Sequence, residues 1–269
     1  PSIGATLFEG SIQRMDELIK QADIAMYQSK KDGRDTLSFF DPAMQQSVNQ
    51  RATLESALHK ALALQQFQLH YQMQVNIWRH PIGAEALIRW IHPERGTVSP
   101  AEFIPMAEET GLILPIGSWV LETACAQIRT WGQHQLTREL TLAVNVSSKQ
   151  LRQAAFVEQV RSLVIRYGIN PRLLKLEITE SMLVDNVEHT IQIMAAIKKI
   201  GVQFSLDDFG TGYSSLQYLK RLPLDQLKID KSFVHDLTVD QSDRTIVRTI
   251  ITMAQSLGLD VIAEGVETE

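Results

Sequence analysis

Four segments of this chain alternate apolar and polar residues strictly, and that period constrains the fold more than any other feature. In 140–147, Leu140, Leu142, Val144 and Val146 alternate with Thr141, Ala143, Asn145 and Ser147. In 173–179, Leu174, Leu176 and Ile178 oppose Lys175, Glu177 and Thr179. In 202–207, Val202, Phe204 and Leu206 oppose Gln203, Ser205 and Asp207, and in 225–230, Leu227 and Ile229 oppose Gln226, Lys228 and Asp230. Successive side chains of a strand point to opposite faces, so each segment predicts a strand with one polar face. The pattern recurs at 67–75, at 82–89 and weakly at 261–265, giving seven strands. Helical patterns at 151–167, 187–200 and 245–257 separate the later ones, which is βα repetition. An open doubly wound sheet is covered on both faces and tends to read as continuous apolar runs. Alternation instead fits an α/β, TIM-like (β/α)8 barrel with a polar interior at one end, its last strand missing from the chain.

Composition narrows the partners. With 44% apolar and 21% charged residues, the 269-residue chain is globular rather than disordered or fibrous. Its 26 basic and 31 acidic side chains give a net charge of −5, and no basic stretch exceeds Lys30-Lys31, which argues against a nucleic acid polymer as ligand. The single cysteine, Cys125, excludes an intramolecular disulfide and a cysteine-based zinc cluster, and fits a reducing cytoplasm. No apolar run approaches the ~20 residues of a membrane span, so any membrane attachment would lie in regions outside this chain. The chain begins at Pro1 and stops at Glu269 within a strand and its loop, and therefore reads as a fragment.

Residues 1–41 predict a strand at 3–8, a helix at 16–31 ending at Gly33 and a short strand at 36–40, too little for an independent core. They are expected to be the tail of an upstream domain. Residues 42–66 form a helical connector and barrel entry, with Leu54, Leu58 and Leu62 four apart. The barrel occupies 67–269.

The inward polar residue nearest the end of each strand forms a series: Glu85, Asn145, Glu177, Asp207 with Asp208 beside it, Lys228 and Glu264. From Asn145 onward the separations are 21 to 36 residues, about one βα unit each, so adjacent strands deliver these groups to one barrel mouth. Five carboxylates against one lysine leave a formal charge of about −4, which a partly buried site cannot hold unneutralised. Two divalent cations would cancel it. The all-oxygen ligand set, without cysteine or paired histidine, favours Mg²⁺ or Mn²⁺ over zinc. Two such ions about 3.5–4 Å apart clamp the attacking and leaving oxygens of a phosphoryl displacement, so phosphodiester hydrolysis is the expected reaction class. A merely structural polar core is the alternative, although each unpaired member would cost several kcal/mol. Arg89, four residues after Glu85 on the same face, can reach a phosphate oxygen or form a salt bridge to a neighbouring carboxylate.

The stretch Gly83-Ala84-Glu85-Ala86-Leu87-Ile88-Arg89-Trp90, with His92-Pro93 and Phe103-Ile104-Pro105, resembles the signature of the EAL family of bacterial cyclic di-GMP phosphodiesterases. The resemblance continues through Asn145-Val146-Ser147, Leu176-Glu177-Ile178-Thr179-Glu180, the run from Asp207 to Ser215, Lys228-Ile229-Asp230 and Glu264-Gly265-Val266-Glu267. Ala22-Asp23-Ile24-Ala25-Met26-Tyr27 and Gly33-Arg34 resemble the C-terminal end of a GGDEF diguanylate cyclase domain. What this implies is opening of one phosphodiester of cyclic di-GMP to linear pGpG. Glu85, Asn145, Glu177 and Asp207 would hold one metal, and Asp207, Asp208 and Glu264 a second. Glu85 and Glu264 would serve the chemistry with Lys228, which acts as base or positions the water; a lysine beside two cations has reason for a lowered pKa. Arg89, Gln72, Asp230 and Glu267 would bind substrate. Gly210, Thr211 and Gly212 would form a lid anchored by Glu180, with a homodimer formed through helices near it, and sensory domains are implied upstream.

Met73 replaces the family's usual proline after Gln72, a change on the helix-facing side expected to loosen the first strand. The final strand and its Gln-Gly segment are absent after Glu269, so the barrel is expected to be open between its last and first strands. His235-Asp236 stands without the further histidines of the other class of cyclic di-GMP hydrolases. Trp90, Trp119 and Trp131 are expected in the core or its shell rather than as base-stacking platforms. The rival reading from another functional class is a non-catalytic cyclic di-GMP receptor.

Overall fold

In the computed structural model the chain divides into two compact units, Pro1–Gln65 and Gln66–Glu269. The residues described are all except 9–13, 32, 34, 184–186, 211–215, 238 and 267–269. In the first unit, β1 (Ile3–Ala5), α1 (Met15–Lys31) and β2 (Leu37–Phe39) make a parallel strand pair joined by a helix, followed by α2 (Pro42–Ala61). Asp41 caps α2, its carboxylate accepting from the Ala43 N–H at 2.8 Å, and Pro42 takes the first helical position, where its missing N–H costs nothing. The strand expected over 3–8 spans only three residues.

The second unit contains β3 (Phe67–Val75), β4 (Pro81–His92), β5 (Gly96–Val98), α3 (Pro100–Thr110), α4 (Ile113–Trp131), β6 (Thr141–Asn145), α5 (Ser148–Leu151), α6 (Phe156–Tyr167), β7 (Leu174–Thr179), α7 (Val187–Lys198), β8 (Gln203–Phe209), α8 (Leu216–Leu219), β9 (Gln226–Ile229), α9 (Lys231–His235), α10 (Gln241–Ser256) and β10 (Asp260–Ala263). The sheet runs β10-β9-β8-β7-β6-β4-β3, with β5 paired to β4. From β4 through β10 neighbours in this order pair in parallel, as a TIM-like barrel requires. The predicted βα repetition fails at the first pair: β3 is antiparallel to β4. Only residues 76–80 separate them, too few for a crossover. The Asn76 side chain closes that turn, accepting from the Trp78 and His80 N–H groups at 3.0 Å each.

Alternation of chemistry is not alternation of exposure here. β7 and β9 are buried almost throughout, polar members included. The outer face packs on helices, where Phe67, Trp90, Phe103 and Trp119 form a ring cluster with centroids 5.8–6.1 Å apart. Trp131 meets Tyr71 edge-on. These contacts put the tryptophans in the core and its shell, each large buried side chain contributing roughly 1.5–3 kcal/mol. Met73 is exposed and pairs with Ala84, and the β3–β4 register shifts just beyond it, between Gln74 and Val75. Among the described residues no helix is long and apolar enough to cross a membrane.

One helix contact reaches toward the mouth. A Cβ on Gly117 of α4 would lie 2.0 Å from Gln150 Nε2. Gln150 is buried and locked in a capping box with Ser147: the Ser147 N–H and hydroxyl donate to its Oε1 at 3.1 and 2.9 Å, and its own N–H donates to Ser147 Oγ at 3.2 Å. The box begins two residues after Asn145. Gly117→Ala is therefore expected to destabilise by about 1–2 kcal/mol, overpacking outweighing the helix-propensity gain of about 1 kcal/mol. Urea unfolding checks it; a stabilised variant would mean that Gln150 yields freely.

Candidate active site

Each strand contributes to the mouth by register. On β4, Glu85 lies opposite Gln72 of β3 on one side and Ala143 of β6 on the other. Asn145 ends β6 opposite Glu177 of β7, and the Val146 N–H donates to the Glu177 carbonyl at 2.9 Å, extending the ladder past the strand. Lys228 stands on β9. Glu264 follows β10, its N–H donating to the Ile229 carbonyl at 3.1 Å.

Lys228 is 2% exposed and its Nζ lies 3.1 Å from Glu85 Oε2, 3.0 Å from Glu177 Oε2, 3.1 Å from Asp207 Oδ1 and 2.6 Å from Glu264 Oε1. One ammonium thus holds four carboxylates from four strands. Asn145 Nδ2 donates to Glu85 Oε1 at 2.7 Å, joining the fifth strand. Burial by itself would lower the Lys228 pKa, but Glu177, Glu85 and Asp207 outweigh it and raise it well above the usual lysine range. In this arrangement the direction is opposite to the lowering expected beside cations. Burial pushes Glu177 up to about 8, with Lys228 opposing and Glu85 and Asp207 reinforcing. The two shifts do not mirror each other because four carboxylates share one cation. Glu264 is raised too, by burial, with Lys228 opposing.

Asp208 enters this group through a backbone irregularity. On a regular strand Asp207 and Asp208 would point to opposite faces. The β8–β9 register shifts between Leu206 and Phe209, and Asp208 takes φ 54°, the left-handed region that few non-glycine residues occupy. Its N–H donates to Asp207 Oδ1 at 2.9 Å. As a result Asp207, Asp208 and Glu264 offer oxygens that all lie within 4.8 Å of one another. Burial raises the Asp208 pKa, and Asp207 and Asp230 add to it. Glu177 Oε1 is buried and has no hydrogen-bond partner among the described residues. An orphaned buried carboxylate oxygen beside an all-oxygen donor set fits a hard divalent cation.

The remaining expected residues lie around this centre. Arg89 is partly buried, and its Nη1 donates to the Ile88 carbonyl at 2.9 Å; among the described residues no carboxylate pairs with it. Gln72 is exposed, on the same face as Glu85. Asp230 caps α9, accepting from the Ser232 N–H at 2.9 Å; burial raises its pKa, but the Ser232 and Lys231 hydrogen bonds prevail and lower it. Glu180 is buried and its Oε2 accepts from the Gly210 N–H at 3.3 Å. Gly210 has φ 102° and its absent Cβ would meet Phe233 at 2.9 Å, so glycine is required there. Thr211, Gly212 and Glu267 lie outside the described residues. The alternation also puts Lys175, Ser205 and Gln226 on the pocket face, where the sequence alone assigns them nothing.

Fold and site together define a (β/α) barrel with an acidic cluster where the strands end. The EAL domain profile matches residues 55–269, and the chain belongs to the EAL domain family. It is 44% identical to the bifunctional diguanylate cyclase/cyclic di-GMP phosphodiesterase MucR of Pseudomonas aeruginosa, over 100% of this chain and 39% of that protein. It is 41% identical to the cyclic di-GMP phosphodiesterase NbdA of the same organism, over 99% of this chain and 34% of that one. The chain thus spans well under half the length of these relatives. The solved PaMucR phosphodiesterase in complex with c-di-GMP is similar at 44% identity and a TM-score of 0.78, covering 81% of this chain and 88% of that one.

Proposed function

We propose that this chain is a metal-dependent phosphodiesterase that hydrolyses cyclic di-GMP to linear pGpG. The observation carrying the reading is the convergence of Glu85, Glu177, Asp207 and Glu264 on Lys228, with Asn145 bonded to Glu85. The names of the relatives and the bound nucleotide of the PaMucR structure support the substrate.

Glu85, Asn145, Glu177 and Asp207 would hold one divalent cation, and Asp207, Asp208 and Glu264 a second. Mg²⁺ or Mn²⁺ bound there would neutralise the diester and activate the attacking water. The chain's own groups do the rest. Lys228, among these carboxylates, offsets negative charge and acts as the base or positions the water. Arg89, which pairs with no carboxylate among the described residues, is available to a phosphate oxygen, and a guanidinium grips such an oxygen well. Gln72, Asp230 and Glu267 complete the substrate side. Glu180 ties Gly210, and with Thr211 and Gly212 this segment acts as a lid next to a homodimer contact.

Residues 1–41 belong to an upstream GGDEF-like domain, 42–66 to its connector and 67–269 to the barrel. Alignment of the whole of this chain with part of a relative named as a diguanylate cyclase as well as a phosphodiesterase supports the upstream assignment. Free Cys125 is in keeping with a cytoplasmic setting. The deciding experiment is incubation of the protein and its Glu85→Ala variant with cyclic di-GMP and Mg²⁺ or Mn²⁺. Linear dinucleotide from the parent and none from the variant is expected. Tight binding without product from the parent would make it a receptor instead.

A further inference from the structure

One layer below the acid cluster three adjacent strands carry buried polar side chains. Lys175 precedes Glu177 by two residues on β7, Ser205 precedes Asp207 on β8, and Gln226 precedes Lys228 on β9. Two residues along a strand keep the face and descend about 6–7 Å. All three are buried, at 6, 0 and 5% exposure. Lys175 Nζ donates to Gln226 Oε1 at 2.9 Å, and Ser205 Oγ donates to the same oxygen at 3.3 Å. One amide oxygen therefore joins three adjacent strands. Among the described residues no carboxylate forms an ion pair with Lys175. Interior layers of such barrels are dominated by branched apolar residues, which would support stability as well or better. A hydrogen-bonded polar group spanning three strands brings instead a fixed geometry.

We infer that Lys175, Ser205 and Gln226 are positioning residues: their shared hydrogen bonds hold β7, β8 and β9 in place one layer beneath Glu177, Asp207 and Lys228, and so set the spacing of the cation ligands. This rests on the phosphodiesterase reading above. The site residues project from the same strands only one pleat higher, so play between the strands becomes play between their carboxylate oxygens. Outer partners of metal ligands characteristically tune affinity or activity by about 10–100-fold.

The test is the Lys175→Met/Gln226→Met double variant, which exchanges the network for an apolar floor and leaves no ammonium unpaired. It is expected to resist urea as the parent does, to bind Mn²⁺ about tenfold more weakly by calorimetry, and to lose kcat by a similar factor at unchanged KM. Loss of a positive charge alone would tighten Mn²⁺, so weakening identifies positioning. A double variant within about twofold of the parent in both Mn²⁺ affinity and kcat overturns the inference. Should it fail to fold, Ser205→Ala, which removes only the longer bond, decides: weaker Mn²⁺ binding supports the inference and unchanged binding overturns it. A parent that binds Mn²⁺ but yields no product defeats the phosphodiesterase reading alone, because the Mn²⁺ comparison still decides the floor.

Discussion

Lys228→Met is expected to cost the metal-free protein about 3–5 kcal/mol at neutral pH, the penalty for removing one partner of a buried ion cluster. Four carboxylates lie within 3.1 Å of this ammonium, and the side chain of Glu177 is fully buried. Methionine matches the stem of lysine closely, so the loss is electrostatic rather than steric. The deficit should shrink as pH falls, since the stranded carboxylates can then take up protons. It should also shrink on addition of Mn²⁺, which supplies the missing positive charge. Turnover should drop by about 10²–10⁴-fold, the range for losing a positioned proton-bearing group. Urea unfolding with and without Mn²⁺ at two pH values tests all of this. A metal-free variant as stable as the parent would show that Lys228 is not what neutralises the cluster.

Glu177→Gln should separate stability from activity. The Glu177 pKa is raised to about 8 in the folded chain from an ordinary 4.5, chiefly by burial. Between those values the folded state holds a proton that the unfolded state has released, so metal-free stability is full below about pH 4.5 and falls as pH rises toward 8. Glutamine keeps an acceptor for Lys228 and has no proton to lose. The metal-free variant is therefore expected to depend less on pH and to be at least as stable as the parent at pH 8. Turnover should fall by about 10³-fold, since several kcal/mol of cation-mediated stabilisation depend on an ionised ligand here. Unfolding in a chelator at pH 5.5 and pH 8 is the check. A parent whose stability rises over that interval would refute the assignment of the proton to Glu177.

Much of the site is legible in the sequence because a strand's period is two. That period places Glu177, Asp207 and Lys228 on one face from their neighbours alone, and the βα spacing places their strands side by side. It says nothing about where a register slips. The shift between Leu206 and Phe209 gives Asp208 to the same mouth as Asp207, against the strand rule. Likewise the short 76–80 connection forces β3 to run antiparallel, so Gln72 meets Glu85 across a hairpin rather than across a crossover.

What the sequence determined by itself was the inventory: a barrel of alternating strands, an acidic set at their ends and the family signature around Glu85. What the tertiary structure decided was the partnership. Lys228 reads in sequence as the lysine that serves as base or positions the water; in the fold it is also the shared counter-ion of four carboxylates, which in the metal-free chain raise its pKa. Lys175 and Gln226 lie 51 residues apart and share a hydrogen bond beneath the site. Periodicity is a local property of the backbone, but charge balance and hydrogen bonding inside a barrel depend on which strands close around the same few ångströms.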